Sequence, residues 1–219
     1  MRPRRGVAGV SETSQQPDAS QRASAKSDLT RQRVLDAAAQ IFARRGFSGT
    51  TLSDIAKAAG LKTGSLYYHF ASREDLVAEV MARGVRQVAE SVEAALAALG
   101  PEARPIERLR TAVEQHLLCL LERSDYARAN TKLSSEVPPH LRSLHAANEE
   151  IYGALWKDLL AQAAAAGEIR SDLSLSAVRM LMLGAMAWAP EWYRPEAGPA
   201  RDLARTFSEM TFAGLLPLR

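Results

Sequence analysis

"TLSDIAKAAGLKTGSLYYHF", residues 51–70, sets two short helical patterns on either side of a single glycine. Thr51 stands where an N-cap is needed, and Asp54, three residues on, is placed to bond back to it. Leu52, Ile55, Ala56 and Ala59 fall on one helical face, and Gly60 ends the run where a left-handed residue closes a helix. The second pattern predicts a short helix over 63–70. At about 100° per residue, Leu66 and Phe70 fall side by side as inward anchors, while Gly64, Ser65 and Tyr68 fall on the far side. Flanked by Tyr67 and His69, that far side is a poor core surface and a reasonable DNA surface. Gly64 lets a backbone come close, hydroxyls and amides reach phosphates, and rings touch sugars and thymine methyls. Two short helices joined by a tight turn form a helix-turn-helix, whose second helix enters the major groove N-terminus first. On these residues alone the alternative stays open, that Tyr67, Tyr68 and His69 cover a neighbouring helix.

Upstream, Val34, Ala38, Ile41 and Phe42 recur at helical spacing and predict a first helix over roughly 30–45, stopped by Gly46. Downstream, Ser72 and Asp75 mark the cap of a longer helix reaching Leu99. Further helices are predicted near 105–123, 125–136, 139–166, 174–190 and 199–215, broken by Pro138-Pro139, Gly167 and the 195–199 region. Nothing reads as a strand, and no internal repeat is present. The expected fold is all-α with about nine helices: a helix-turn-helix unit over 28–76 and a larger helical body over 77–219. Residues 1–27 hold almost nothing able to enter a core and read as a disordered basic arm, whose Arg2, Arg4, Arg5, Arg22 and Lys26 can attract phosphate.

The net charge of +3 hides an asymmetry: residues 1–76 carry 12 Lys and Arg against 7 Asp and Glu, the remainder 16 against 18. A basic front third on a slightly acidic body fits a nucleic-acid-facing unit, although plain solvated surfaces also carry such clusters. The lone cysteine, Cys119, excludes an internal disulfide and a thiolate cluster, and fits a reducing compartment. No apolar run of signal-peptide length follows the first arginines, because residues 11–16 are polar and Pro17-Asp18 come next. The longest apolar stretch, 180–190, is far short of the roughly 20 residues of a membrane span. A cytoplasmic protein without membrane contact is expected.

The stretch "TTLSDIAKAAGLKTGSLYYHFASREDL", residues 50–76, resembles the DNA-binding signature of the TetR family of bacterial transcriptional repressors. The resemblance implies an all-helical homodimer on a palindromic double-stranded DNA operator, with a variable ligand-binding body. It implies a phosphate contact from Thr51, and a recognition helix carrying Lys62, Thr63, Gly64, Ser65, Tyr67, Tyr68 and His69. Arg73 takes the position where a phosphate-binding lysine is usual, keeping the charge and adding donors. Lys62 stands where a small hydroxyl cap is common, and reaches instead toward phosphate or guanine.

In the body, 180–189 is apolar nearly all round, which calls for burial on two sides, a ligand-bearing core and a partner subunit. Gly184, Ala185 and Ala189 permit close helix approach, and Leu203, Phe207, Met210 and Gly214 give the last helix a matching stripe. A homodimer through these two helices is expected, matching half-sites near multiples of one DNA turn, roughly 34 Å. Leu118, Tyr152, Trp156, Met182 and Met186 could line an adaptable cavity for an acyl chain, or form plain core. The segment 167–204, through Gly184, Trp188, Trp192, Tyr193, Pro195 and Gly198, resembles the TetR branch controlling fatty-acid or steroid-ring degradation. That resemblance implies an acyl-CoA effector and adds Trp188 and Trp192 to the candidate ligand residues. Arg128, Lys132, Lys157 and Arg194 are candidate partners for CoA phosphates. A drug-like effector of an efflux repressor, or an acyl-binding helical protein without a DNA role, are the alternatives.

Enzymatic motifs are not complete. Lys62-Thr63-Gly64 has no Ser-x-x-Lys to accompany it, and phosphate-loop, G-x-S-x-G and dinucleotide patterns are missing. His116 and Cys119, at i and i+3, read as core histidine and core thiol, and His140 and His145 are awkwardly spaced for one helix face. No catalysis, cofactor or metal is expected.

Overall fold

The computed structural model describes residues 19–217, so the beginning of the expected arm, with Arg2, Arg4 and Arg5, lies outside the described residues. The described residues form nine α-helices and no strand: α1 (Ala19–Arg45), α2 (Leu52–Ala58), α3 (Thr63–Leu66), α4 (Arg73–Ala98), α5 (Pro105–Leu118), α6 (Asp125–Glu136), α7 (Pro139–Ala165), α8 (Leu175–Trp192) and α9 (Ala200–Leu215). The last five residues of the helix predicted over 105–123 wind as a π-type stretch, Cys119–Arg123, between α5 and α6. The first helix starts at Ala19 rather than near Thr30, so the later part of the expected arm is helical. Residues such as Ala25 and Lys26 lose little rotamer freedom in a helix, and they extend one already nucleated by the buried Val34, Leu35, Ala38 and Phe42.

Two cores organise these helices. One gathers Val34, Leu35 and Phe42 of α1, Ile55 of α2, Leu66 and Phe70, and Leu76 to Met81 of α4. It also takes Tyr126, Ala129 and Leu133 from α6, with Val137 and Leu141 beyond. The other joins the distal half of α4 to α5, α7, α8 and α9 around Leu109, Leu117, Trp156, Leu160, Met186 and Phe212. The division expected at residue 76 is therefore not a packing boundary. Both α4 and α6 belong to the two cores at once, and Gly84 marks where they cross: a Cβ there would stand 2.6 Å from Asn130 Cβ and closer still to the Tyr126 carbonyl oxygen.

Candidate nucleic-acid interface and effector cavity

The helix-turn-helix is built by local chemistry. Thr51 caps α2 through a reciprocal box, Asp54 N donating to Thr51 Oγ1 at 3.2 Å and Thr51 N to Asp54 Oδ2 at 3.1 Å. At the other end Gly60 N bonds Lys57 O at 3.1 Å and Leu61 N bonds Ala56 O at 2.8 Å. This closing pattern needs a left-handed residue between, and Gly60 supplies it with φ +67°. Arg33 of α1 adds a cation to that C-terminus, donating to Ala59 O at 2.6 Å.

Leu66 and Phe70 are tucked inward at 1% and 5% exposure, whereas Tyr67 and Tyr68 stand out at 58% and 84%. Lys62, Thr63, Gly64 and Ser65 are exposed with them, and His69 packs edge-on against Tyr68 at 5.4 Å. The α-helical winding lasts only from Thr63 to Leu66, shorter than the 63–70 predicted, because Tyr67 to His69 relax into a turn that Phe70 N ties back to Leu66 O at 2.9 Å. Lys62 makes no side-chain cap. A Cβ on Gly64 would meet nothing within 4 Å. Glycine costs a helix about 1 kcal/mol relative to alanine, so no contact within the chain accounts for its use there.

Arg73 departs from expectation. Its guanidinium lies 4.0 Å over the Phe47 ring and donates to Phe47 O and, at 2.9 Å, to Thr50 O. Through Nη2 it closes the turn between α1 and α2, a role its charge did not announce. The turn is also held from the body, since Phe47 N and Ser48 N donate to Glu136 Oε2 at 2.6 and 3.4 Å.

Behind this head, α4, α5, α6, α7 and α8 line a largely apolar, partly open cavity of about 380 Å³. Val85, Val88, Leu120, Leu183 and Ala187 supply apolar wall, and His116, Asn130, Thr131, Ser134, Tyr152 and Arg179 supply polar atoms. His116 Nδ1 and Tyr152 Oη lie 2.7 Å apart, with Trp156 edge-on to both rings. Whichever partner donates within that pair, one further donor and one acceptor remain for a ligand. The π-type winding beginning at Cys119 brings Leu120 to this wall. Arg179 sits on the wall with Nη1 3.4 Å from Gly153 O.

Burial holds the His116 ring neutral, its pKa pushed from 6.5 down to about 4. The unfolded chain gains a proton near pH 6.5 that the folded chain refuses until about pH 4, so His116 erodes stability as the pH falls through that window and is silent above it. A His116→Gln variant is expected to lose less stability on acidification there, by up to about 1.4 kcal/mol per pH unit, in urea unfolding at successive pH values. Parallel pH profiles for the two proteins would mean that solvent reaches the ring.

Of the sequence-derived ligand candidates, only Tyr152 lines this cavity. Trp156 is fully buried behind Tyr152 and His116, and Met186 is fully buried in the core. Leu118 faces Glu122 and Pro199, and Met182 lines a separate depression with Ala185 and Phe207. Trp188 and Trp192 are exposed at 65% and 52%. Among the cations, Arg128 pairs with Asp125, Arg194 donates to nearby backbone and Lys157 is exposed. Lys132 lines an adjoining groove and pairs with Glu191 at 3.5 Å. His116, Asn130, Thr131, Ser134 and Arg179 were not singled out as ligand residues by sequence reasoning, since no local pattern distinguishes a polar residue beside a void from one beside packed neighbours.

Comparison with known proteins covers both regions. The family profile described as bacterial regulatory proteins, tetR family, matches residues 34–80, and that described as tetracyclin repressor-like, C-terminal domain, matches 102–215. The HTH-type transcriptional repressor KstR2 of Mycobacterium tuberculosis is 30% identical over 199 residues, 83% of this chain and 90% of its own. The solved structure of that ketosteroid transcriptional regulator superposes with a TM-score of 0.69 at 26% identity, covering 86% of this chain and 95% of the other. In fold alone, AibR in complex with isovaleryl coenzyme A and operator DNA matches at TM-score 0.74 and 22% identity, over 87% of this chain and 100% of AibR. FadR from Bacillus subtilis in complex with stearoyl-CoA matches at 0.69 and 21%, over 84% and 98%. Among the described residues no helix is long and apolar enough to cross a membrane.

Proposed function

The chain belongs to the TetR family of bacterial regulatory proteins, a family of transcriptional regulators, and on that footing we propose that it binds a palindromic operator as a homodimer and is released by an acyl-CoA thioester. The head over 28–76 contacts DNA through Thr51, Lys62, Thr63, Gly64, Ser65, Tyr67, Tyr68 and His69, and the body over 77–219 binds effector and partner. The observation that carries this reading is the bare aromatic face above Leu66 and Phe70, with open space over Gly64. Exposed side chains that no core of the described residues takes up are placed to touch a backbone and base edges outside the chain.

The dimer is supported by the outer faces of α8 and α9. Met180, Leu181 and Met210 are exposed at 61%, 74% and 73%, beside the exposed Gly184, Ala185 and Gly214. Such a set is unusual on a monomer surface. Ala189, expected on that face, is instead buried in the core.

The effector reading is supported by the cavity, whose apolar walls and few polar atoms suit an acyl group, and by AibR and FadR, whose structures hold acyl-CoA ligands. KstR2, the relative similar along most of the chain, is named as a ketosteroid regulator, which favours a ring-bearing acyl group among thioesters. Ligand in the cavity favours a head arrangement that mismatches the operator. A complete switch needs a preference of about 5.5 kcal/mol between the two states. Fluorescence anisotropy with labelled DNA from beside the chain's own gene tests it: acyl-CoA thioesters are expected to weaken binding by about tenfold or more, in the usual range of coupling. Release by cationic aromatic drugs and not by any thioester would overturn the effector assignment.

A further inference from the structure

We infer that Glu136 carries the effector signal to the DNA-binding head: its carboxylate clasps the α1–α2 turn, and an effector extending out of the cavity between α6 and α8 draws it off. This rests on the reading of the cavity as an effector site. Glu136 is the last residue of α6, where the helix dipole disfavours a carboxylate, and the last turn of α6 holds no basic residue to offset it. The compensation comes from the head, through the amides of Phe47 and Ser48. Gly46, whose conformation ends α1, lies directly against that carboxylate. A Cβ there would stand 2.5 Å from Glu136 Cδ, and the left-handed φ of +69° suits glycine as well. A residue of the body and a turn of the head are thus shaped to each other, and the turn they share sets where α2 begins.

Glu136 also borders a groove of about 480 Å³ between α6 and α8, which shares Thr131 and Ala187 with the effector cavity. A ligand too long for the cavity continues past these two residues toward Lys132, Trp188 and Glu136. Trp188 offers an exposed ring and Lys132 a cation paired to Glu191 at 3.5 Å, so the ligand end that fits is a planar ring bearing phosphate. Phosphate there competes with Glu191 for Lys132 and repels Glu136, leaving the turn without its acceptor. The released form then binds ligand better, and by reciprocity the clasp opposes ligand binding.

The test compares wild type, Glu136→Ala and, as a control on the same groove, Ser135→Ala, by thermal shift and operator affinity with isovaleryl-CoA, stearoyl-CoA and a steroid-ring thioester, cholyl-CoA. In wild type and the control a thioester is expected to raise Tm and weaken operator binding about tenfold; in Glu136→Ala the Tm rise persists while the operator response falls to about threefold or less. A full operator response in Glu136→Ala overturns the role of Glu136 and leaves the effector assignment standing. If none of the three thioesters shifts the Tm of any of the three proteins, the effector assignment fails instead, and the clasp is judged on operator affinity without ligand. A loss of about fivefold or more in Glu136→Ala supports it, and an unchanged or higher affinity overturns it.

Discussion

A Gly84→Val variant is expected to lose about 3 kcal/mol or more of stability, with Tm lowered by roughly 10 °C in a calorimetric scan. Glycine inside a helix is itself unfavourable by about 1 kcal/mol against alanine, so its place in the middle of α4 needs a reason from packing. The reason is the crossing with α6: an added Cβ would stand 2.6 Å from Asn130 Cβ and closer to the Tyr126 carbonyl oxygen. A helix backbone cannot step aside as a flexible side chain can, so α4 and α6 must separate. That separation would reach Tyr126 Oη, which donates to Asp36 Oδ1 at 2.7 Å and ties α6 to α1. A variant as stable as wild type would mean that the two helices do not cross as closely as described.

The second large effect concerns DNA. Replacing Tyr67 and Tyr68 together by alanine is expected to weaken operator binding about a hundredfold, about 2.7 kcal/mol for the two contacts together, while sedimentation still reports the wild-type oligomeric state. Both rings are exposed, so their removal leaves Leu66 and Phe70 in the core and folding intact. Equal operator affinity in the double variant would remove the recognition role from this face.

The head was legible in the sequence because its determinants are local. Thr51 and Asp54 meet three residues apart, Gly60 closes α2 by its own φ, and the i, i+4 pair Leu66 and Phe70 is oriented by helix geometry alone. The extent of α1 was less so, since residues that neither pack nor break a helix leave no periodic trace of where it starts. Arg73 was misread for a different reason: its charge suggested phosphate, but the carbonyls of Phe47 and Thr50 reach it only once the turn has folded. The cavity was largely illegible. Its wall comes from five helices, and the pair at its heart, His116 and Tyr152, is 36 residues apart. Trp188 and Trp192 show the converse, large apolar side chains on an apolar helix that face outward, Trp188 onto the adjoining groove rather than into the cavity. Glu136 left one weak trace, an acid at the C-terminal end of a helix followed by Val137 and two prolines, which becomes meaningful only when the first turn of the chain is brought against it.

The central claim is that the face of Tyr67 and Tyr68 reads a DNA duplex. It is tested most directly by footprinting the full-length protein on the DNA flanking its own gene, over a series of salt concentrations. The expected result is a protected palindrome with half-sites near a multiple of one helical turn, roughly 34 Å, and an affinity that falls steeply with salt as neutralised phosphates regain their counterions. Absence of protection even at low salt, or protection that the tyrosine double variant reproduces unchanged, would contradict it.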